Sequence, residues 1–112
     1  MEEFIKYLDG AIAEGKAEIA RLYADGRKDE SDLAKVRTNI YEVCRTVSLA
    51  LINRPGAGKA AVMAQFGRFR EAWGAALEKA KQHDDASAAA VEEIKLAALE
   101  DVIARFEGVT EA

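Results

Sequence analysis

Few side chains in this 112-residue chain could do chemistry, and their spacing keeps them apart. Cys44 is the only thiol and His83 the only imidazole. One Cys and one His cannot complete a tetrahedral zinc site from a single chain. A lone Cys closes no internal disulfide, so nothing here points to an oxidising compartment. Ferritin-like di-iron bundles need Glu three residues before His, and Ala80 stands there instead. A nucleophilic Cys44 would need a neighbouring base and an electropositive setting. It follows the core position Val43, where a small buried apolar residue is the simpler expectation. Ser31, Ser48 and Ser87 have no triad-like surroundings. The acid pairs Asp84-Asp85, Glu92-Glu93 and Glu100-Asp101 suggest paired carboxylates. Neighbours on a helix diverge by about 100°, so a solvated acidic face is expected rather than a shared substrate atom. The sequence therefore leads to no catalytic residues, no metal ligands and no cofactor, and to a protein that is not an enzyme.

One stretch comes closer to a ligand site. Asn53-Arg54-Pro55-Gly56-Ala57-Gly58-Lys59-Ala60 superficially follows the phosphate-binding loop. Asn replaces the first Gly of that pattern, Ala replaces the hydroxyl that would bind Mg²⁺, and a helix rather than a strand precedes it. What survives is a helix N-terminus with a nearby cation, able to hold a small anion. Arg54, Gly56, Gly58 and Lys59 are the residues that would do so, as the alternative to a protein-binding role. Residues 27–70 carry a balance of +5, with Arg45, Arg54, Lys59, Arg68 and Arg70 gathered towards this connection. In an up-down bundle Glu2, Glu3, Glu107 and Glu111 share that end, so the basic pole can be neutralised internally.

The elements that carry these residues are helices. Ile5, Leu8, Ile12, Ile19 and Leu22 recur at three-four spacing, with Gly15 filling the gap, over about residues 3–25. Asp25-Gly26 closes that run, Gly suiting the left-handed position past a helix end. Asp29 or Ser31 can cap a second helix over about 30–53, striped by Leu33, Val36, Ile40, Val43 and Val47 and stopped by Pro55-Gly56. Val62, Phe66, Phe69, Trp73 and Ala80 mark a third over about 57–82. Val91, Ile94, Leu99, Val102, Ile103 and Phe106 mark a fourth over about 86–107, capped by an acid of the 84–85 pair or by Ser87. No stretch alternates as a half-buried strand would. Similar lengths and short connections predict one domain over 1–112, an all-α antiparallel up-down-up-down four-helix bundle.

Small residues recur at heptad-like intervals: Ala13, Ala17, Ala20 and Ala24, then Ala60, Gly67 and Gly74, then Ala90, Ala97 and Ala104. The expected role is close helix approach, the alternative being a groove for a ligand or partner. Gly10, Gly15, Gly67 and Gly74 fall inside predicted helices, where each costs about 1 kcal/mol relative to Ala. Trp73 belongs with Phe66 and Phe69 on the core stripe. The segment Trp73-Gly74-Ala75 lies within a helix and lacks the central Trp-x-Gly turn of small secreted helical hairpins of the WXG type.

Composition narrows the function classes. The net charge is −4, with 32% charged and 50% hydrophobic residues, 23 of the latter Ala. An acidic chain has no general attraction to nucleic acid or anionic membrane. The longest uncharged runs are eight residues, Thr46–Asn53 and Ala60–Gly67, whereas a bilayer-spanning helix needs roughly 20. The acidic, amphipathic start at Met1–Lys6 is no secretory signal, so a cytoplasmic location is expected. The second and fourth helices carry more apolar positions than one core-facing stripe uses. Tyr41, Leu49, Ile52, Ile94, Leu96 and Ile103 are the candidates for a second buried face. The expected function is a small, non-enzymatic interaction or scaffold module. Its expected partner is a second copy in a two-fold dimer, or another protein.

Overall fold

A computed structural model describes residues 1–109. It contains four helices: α1 Glu2–Ala24, α2 Lys28–Leu51, α3 Gly58–Gln82 and α4 Ala86–Glu107. Their ends are set by local chemistry. At the end of α1, Gly26 adopts φ +76°. The Arg27 N–H donates to the Leu22 carbonyl and the Gly26 N–H to that of Tyr23. This is the paired capping pattern that a left-handed residue after a helix permits. The end of α3 repeats it with Asp84 at φ +52° and the Asp85 N–H donating to Ala80. Asp85 then caps α4, its Oδ1 accepting from the Ala88 N–H at 3.0 Å. The start of α2 departs from expectation. Neither Asp29 nor Ser31 caps it, because the helix already begins at Lys28. Ser31 is instead wholly buried, and its hydroxyl donates to the Ile19 carbonyl at 3.0 Å, tying the two helices at their shared turn.

The α2–α3 connection explains its own glycines. Gly56 sits at φ +69°, which a Cβ disfavours. At Gly58 a Cβ would lie 1.8 Å from the Ile52 carbonyl oxygen, so the chain can fold back on itself only without one. The resemblance to a phosphate-binding loop thus has a structural source in the turn.

The assembly is an all-α four-helix bundle with antiparallel hairpins α1–α2 and α3–α4. Arg45 meets Asp9 across the first pair and Arg70 meets Glu100 across the second. The cross-section is a rhombus rather than a square. Both α2 and α4 touch all three other helices, whereas α1 and α3 never meet. The short diagonal flattens the molecule to 46 × 34 × 19 Å. Its radius of gyration is 15.3 Å, against about 13 Å for a compact domain of this size. This placement accounts for the broad apolar stripes of α2 and α4, which three neighbours cover within one chain.

The core is concentrated at one pole, where α1 and α3 begin and α2 and α4 end. Phe106, wholly buried, takes Phe4 at 5.0 Å and Phe66 at 5.6 Å, both edge-on. Leu8, Tyr41, Cys44, Val62, Leu99, Val102 and Ile103 surround them. The opposite pole buries little beyond Leu22, Ser31, Ala80 and Glu92.

The small-residue strips do not mark close approach. Ala13, Ala17, Ala20 and Ala24 are all exposed, as are Ala60, Ala97 and Ala104. Of the four glycines predicted inside helices, only Gly15 is needed for packing: a Cβ there would sit 2.2 Å from Thr38 Oγ1. Gly10, Gly67 and Gly74 have nothing within 4 Å of that position. For Gly67 and Gly74 the expected close approach is absent. The alanines of the α1 strip are helix formers on an outer face.

Replacing Gly10 or Gly67 by Ala is expected to stabilise the fold by about 0.5–1 kcal/mol. Gly15→Ala is expected to destabilise it, and urea unfolding of the three variants measures the contrast. Asp84→Gly, which relieves a left-handed Asp, should add up to about 1 kcal/mol by the same measurement.

Candidate functional site

The lopsided core opens a groove. Near its start α1 leans on α4, with Phe4 against Phe106 and the Arg105 guanidinium 4.6 Å from the centre of the Tyr7 ring. Beyond Tyr7 the two helices part, and α2 becomes the floor between them. The resulting open groove has a volume of about 1010 Å³. Ala11, Glu14, Gly15 and Glu18 form its α1 wall, and Ile94, Asp101 and Ala104 its α4 wall. Leu33, Ala34, Arg37 and Thr38 line the floor. The contact of Gly15 with Thr38 draws α1 down onto α2 and keeps that floor narrow.

At the closed end, Tyr7 and Tyr41 meet edge-on at 6.3 Å. The Tyr7 hydroxyl is pushed up to about 12, first by burial and then by Tyr41 and the Asp101 charge. It therefore stays protonated, a hydrogen-bonding phenol rather than a base. The middle of the groove combines half-buried Leu33 and Ile94 with a rim of carboxylates.

The residues singled out for chemistry lie apart from the groove and from each other. Cys44 is wholly buried in the core, and burial pushes its thiol up to about 12. His83 is exposed on the α3–α4 turn, its Nδ1 2.8 Å from the Lys79 carbonyl oxygen. Among the described residues, no three Cys, His, Asp or Glu side chains gather as a metal site would require. The adjacent acids diverge: Glu100 holds Arg70 through two bonds of 2.7 and 3.0 Å, while Asp101 faces the groove. Glu92 corrects the expectation of a solvated face. It is only 9% exposed, with the Lys95 ammonium 3.1 Å from its carboxylate.

The basic connection is largely occupied from within. The Lys59 ammonium donates to the carbonyls of Glu107 and Val109, at 3.0 and 2.6 Å, closing the C-terminal end of α4. Gly58 rests against the Ile52 carbonyl. Arg54 and Gly56 are exposed on the turn. Arg45 is bound to Asp9 and Arg68 to Gln65. Residues expected to form a second apolar face are scattered: Tyr41 and Ile103 are in the core, and Ile52, Ile94 and Leu96 are half-buried. Of these only Leu49 is exposed, at 45%. Trp73 is half-buried, stacked on Phe69 at 5.0 Å with Lys95 over its ring.

The helical glycines allow a gap as the alternative to close packing, but nothing in the sequence places the groove. Its trace there is the Gly15 gap in the α1 stripe, between Ile12 and Ile19. No protein-family model, curated protein or solved structure matches the chain. No helix among the described residues is long and apolar enough to cross a membrane.

Cys44 is expected to resist a disulfide-exchange reagent at pH 8 in the native protein and to react once urea unfolds it. The unfolded thiol loses its proton near 9.0, whereas the folded one holds it to about 12. Folding stability is thus intact below about pH 9 and declines as the pH climbs towards 12. Urea midpoints at pH 8 and pH 10.5 report that fall.

Proposed function

We propose that this chain is a non-enzymatic, cytoplasmic protein-interaction module, and that the α1–α2–α4 groove is its binding surface. The observation that carries this reading is the parting of α1 from α4 over a floor where Leu33 and Ala34 stand beside Arg37 and Thr38. Tyr7 to Leu22, the span of α1 along the groove, is about 22 Å at 1.5 Å per residue. That is room for roughly four turns of a docked helix, and a helix laid in an apolar groove is a recurrent recognition mode. Leu33, Ala34 and Ile94 supply the apolar contact, and the phenols of Tyr7 and Tyr41 close one end. Nothing in such a site requires a nucleophile or a cofactor.

A photo-crosslinking residue placed at Ala11 or Ala34, in the groove, should capture a discrete partner in the cell of origin. The same residue at Ala64 or Ala75, exposed on α3, should not. Leu33→Asp should cut capture from Ala11 at least tenfold while changing the melting temperature by only a few degrees, because Leu33 is half-exposed. Capture from the α3 positions alone, or capture unaffected by Leu33→Asp, would remove the groove as the binding surface.

A further inference from the structure

The groove rim carries charge as well as depth. Glu14 and Glu18 stand one turn apart on α1, Asp101 faces them from α4, and Glu30 lies at the open end of α2. Two arginines oppose these four acids, and Arg105 is laid over the Tyr7 ring. Glu18 and Glu30 hold Arg21 and Arg27 in exposed one-turn pairs, which are weak and easily exchanged. Glu14 and Asp101 have no ion-pair partner among the described residues. The helices behind the two walls share this bias, α1 with five acids to three bases and α4 with five to two.

We infer that the occupant of the groove is an amphipathic helix of another protein, with Lys or Arg flanking its apolar stripe. This rests on the groove being the binding surface. The stripe would lie on Leu33, Ala34 and Ile94, and the flanking cations would reach Glu14, Glu18 and Asp101. A second copy of this chain fits poorly. Its one basic helix is α3, with five bases to two acids, and the apolar side of α3 is already committed to the core through Val62 and Phe66. Such a partner segment, about 15 residues long, is barely helical alone. It orders on binding, so the complex forms with modest affinity and weakens with salt.

The test uses the full chain and two 18-residue peptides with identical leucines, one flanked by Lys and the other by Glu. Fluorescence anisotropy at low salt should show the Lys peptide binding at least tenfold tighter. Amide shifts should centre on Gly15, Leu33, Ala34 and Ile94. Glu14→Lys combined with Asp101→Lys should weaken the Lys peptide tenfold or more. Glu3→Lys combined with Glu78→Lys makes the same change in net charge away from the groove and should alter binding less than twofold. Equal loss in both double variants would mean general attraction to an acidic protein and would overturn the inference. So would sedimentation showing a dimer whose groove is protected. Groove shifts produced by the Glu peptide instead would leave the groove as the surface and refute the basic partner. No groove shift with either peptide refutes the basic partner as well, while crosslinking from Ala11 still decides the groove on its own.

Discussion

The structure depends on one seam, the packing of α2 against α4. The buried residues of α2 are Ile40, Tyr41, Cys44 and Ser48, besides Ser31 and Thr38 that meet α1, while α4 presents Ala98, Leu99, Val102 and Ile103. Phe106 secures the seam at one pole by receiving Phe4 from α1 and Phe66 from α3. Four helices that would otherwise form two hairpins are joined there into one core.

The same seam creates the groove. With α2 and α4 on the short diagonal, α1 can reach α4 only where an aromatic side chain bridges the distance, at Phe4 and Tyr7. Past that point α1 carries Ala11, Gly15 and Glu18 towards the gap, none long and apolar enough to close it. Burial of apolar area drives association of helices, and where that area runs out the helices separate. A surface for a partner is thus the remainder of an unevenly distributed core. The floor is held by the tight α1–α2 contact at Gly15 and Thr38, so the groove is preformed, which lowers the entropic cost of binding.

Much of this was legible in the chain, and the exceptions have physical causes. Three-four spacing gave the helices to within two residues at each end, since local periodicity and capping act within one element. Gly26, Pro55 and Asp85 acted where their backbone chemistry places them. Spacing could not say which helices share the short diagonal, because that depends on side-chain volume across the core. The wide stripes of α2 and α4 therefore read as a face for a second chain. Alanine was ambiguous for a related reason: its helix propensity operates on any face, so regular Ala spacing on α1 looked like a contact and is solvent-exposed. Lys59 shows the same limit, since its role at the end of α4 follows from a neighbour 48 residues away.

The central claim is that α1 and α4 touch at one pole and diverge at the other. Paired spin labels report it directly, one pair at Glu3 and Glu107 and another at Glu18 and Glu93, read by pulsed dipolar spectroscopy. The account predicts a clearly longer mean distance for the Glu18–Glu93 pair. Equal distances at the two poles would mean that the helices run side by side, that no groove separates them, and that the uneven core described above is wrong.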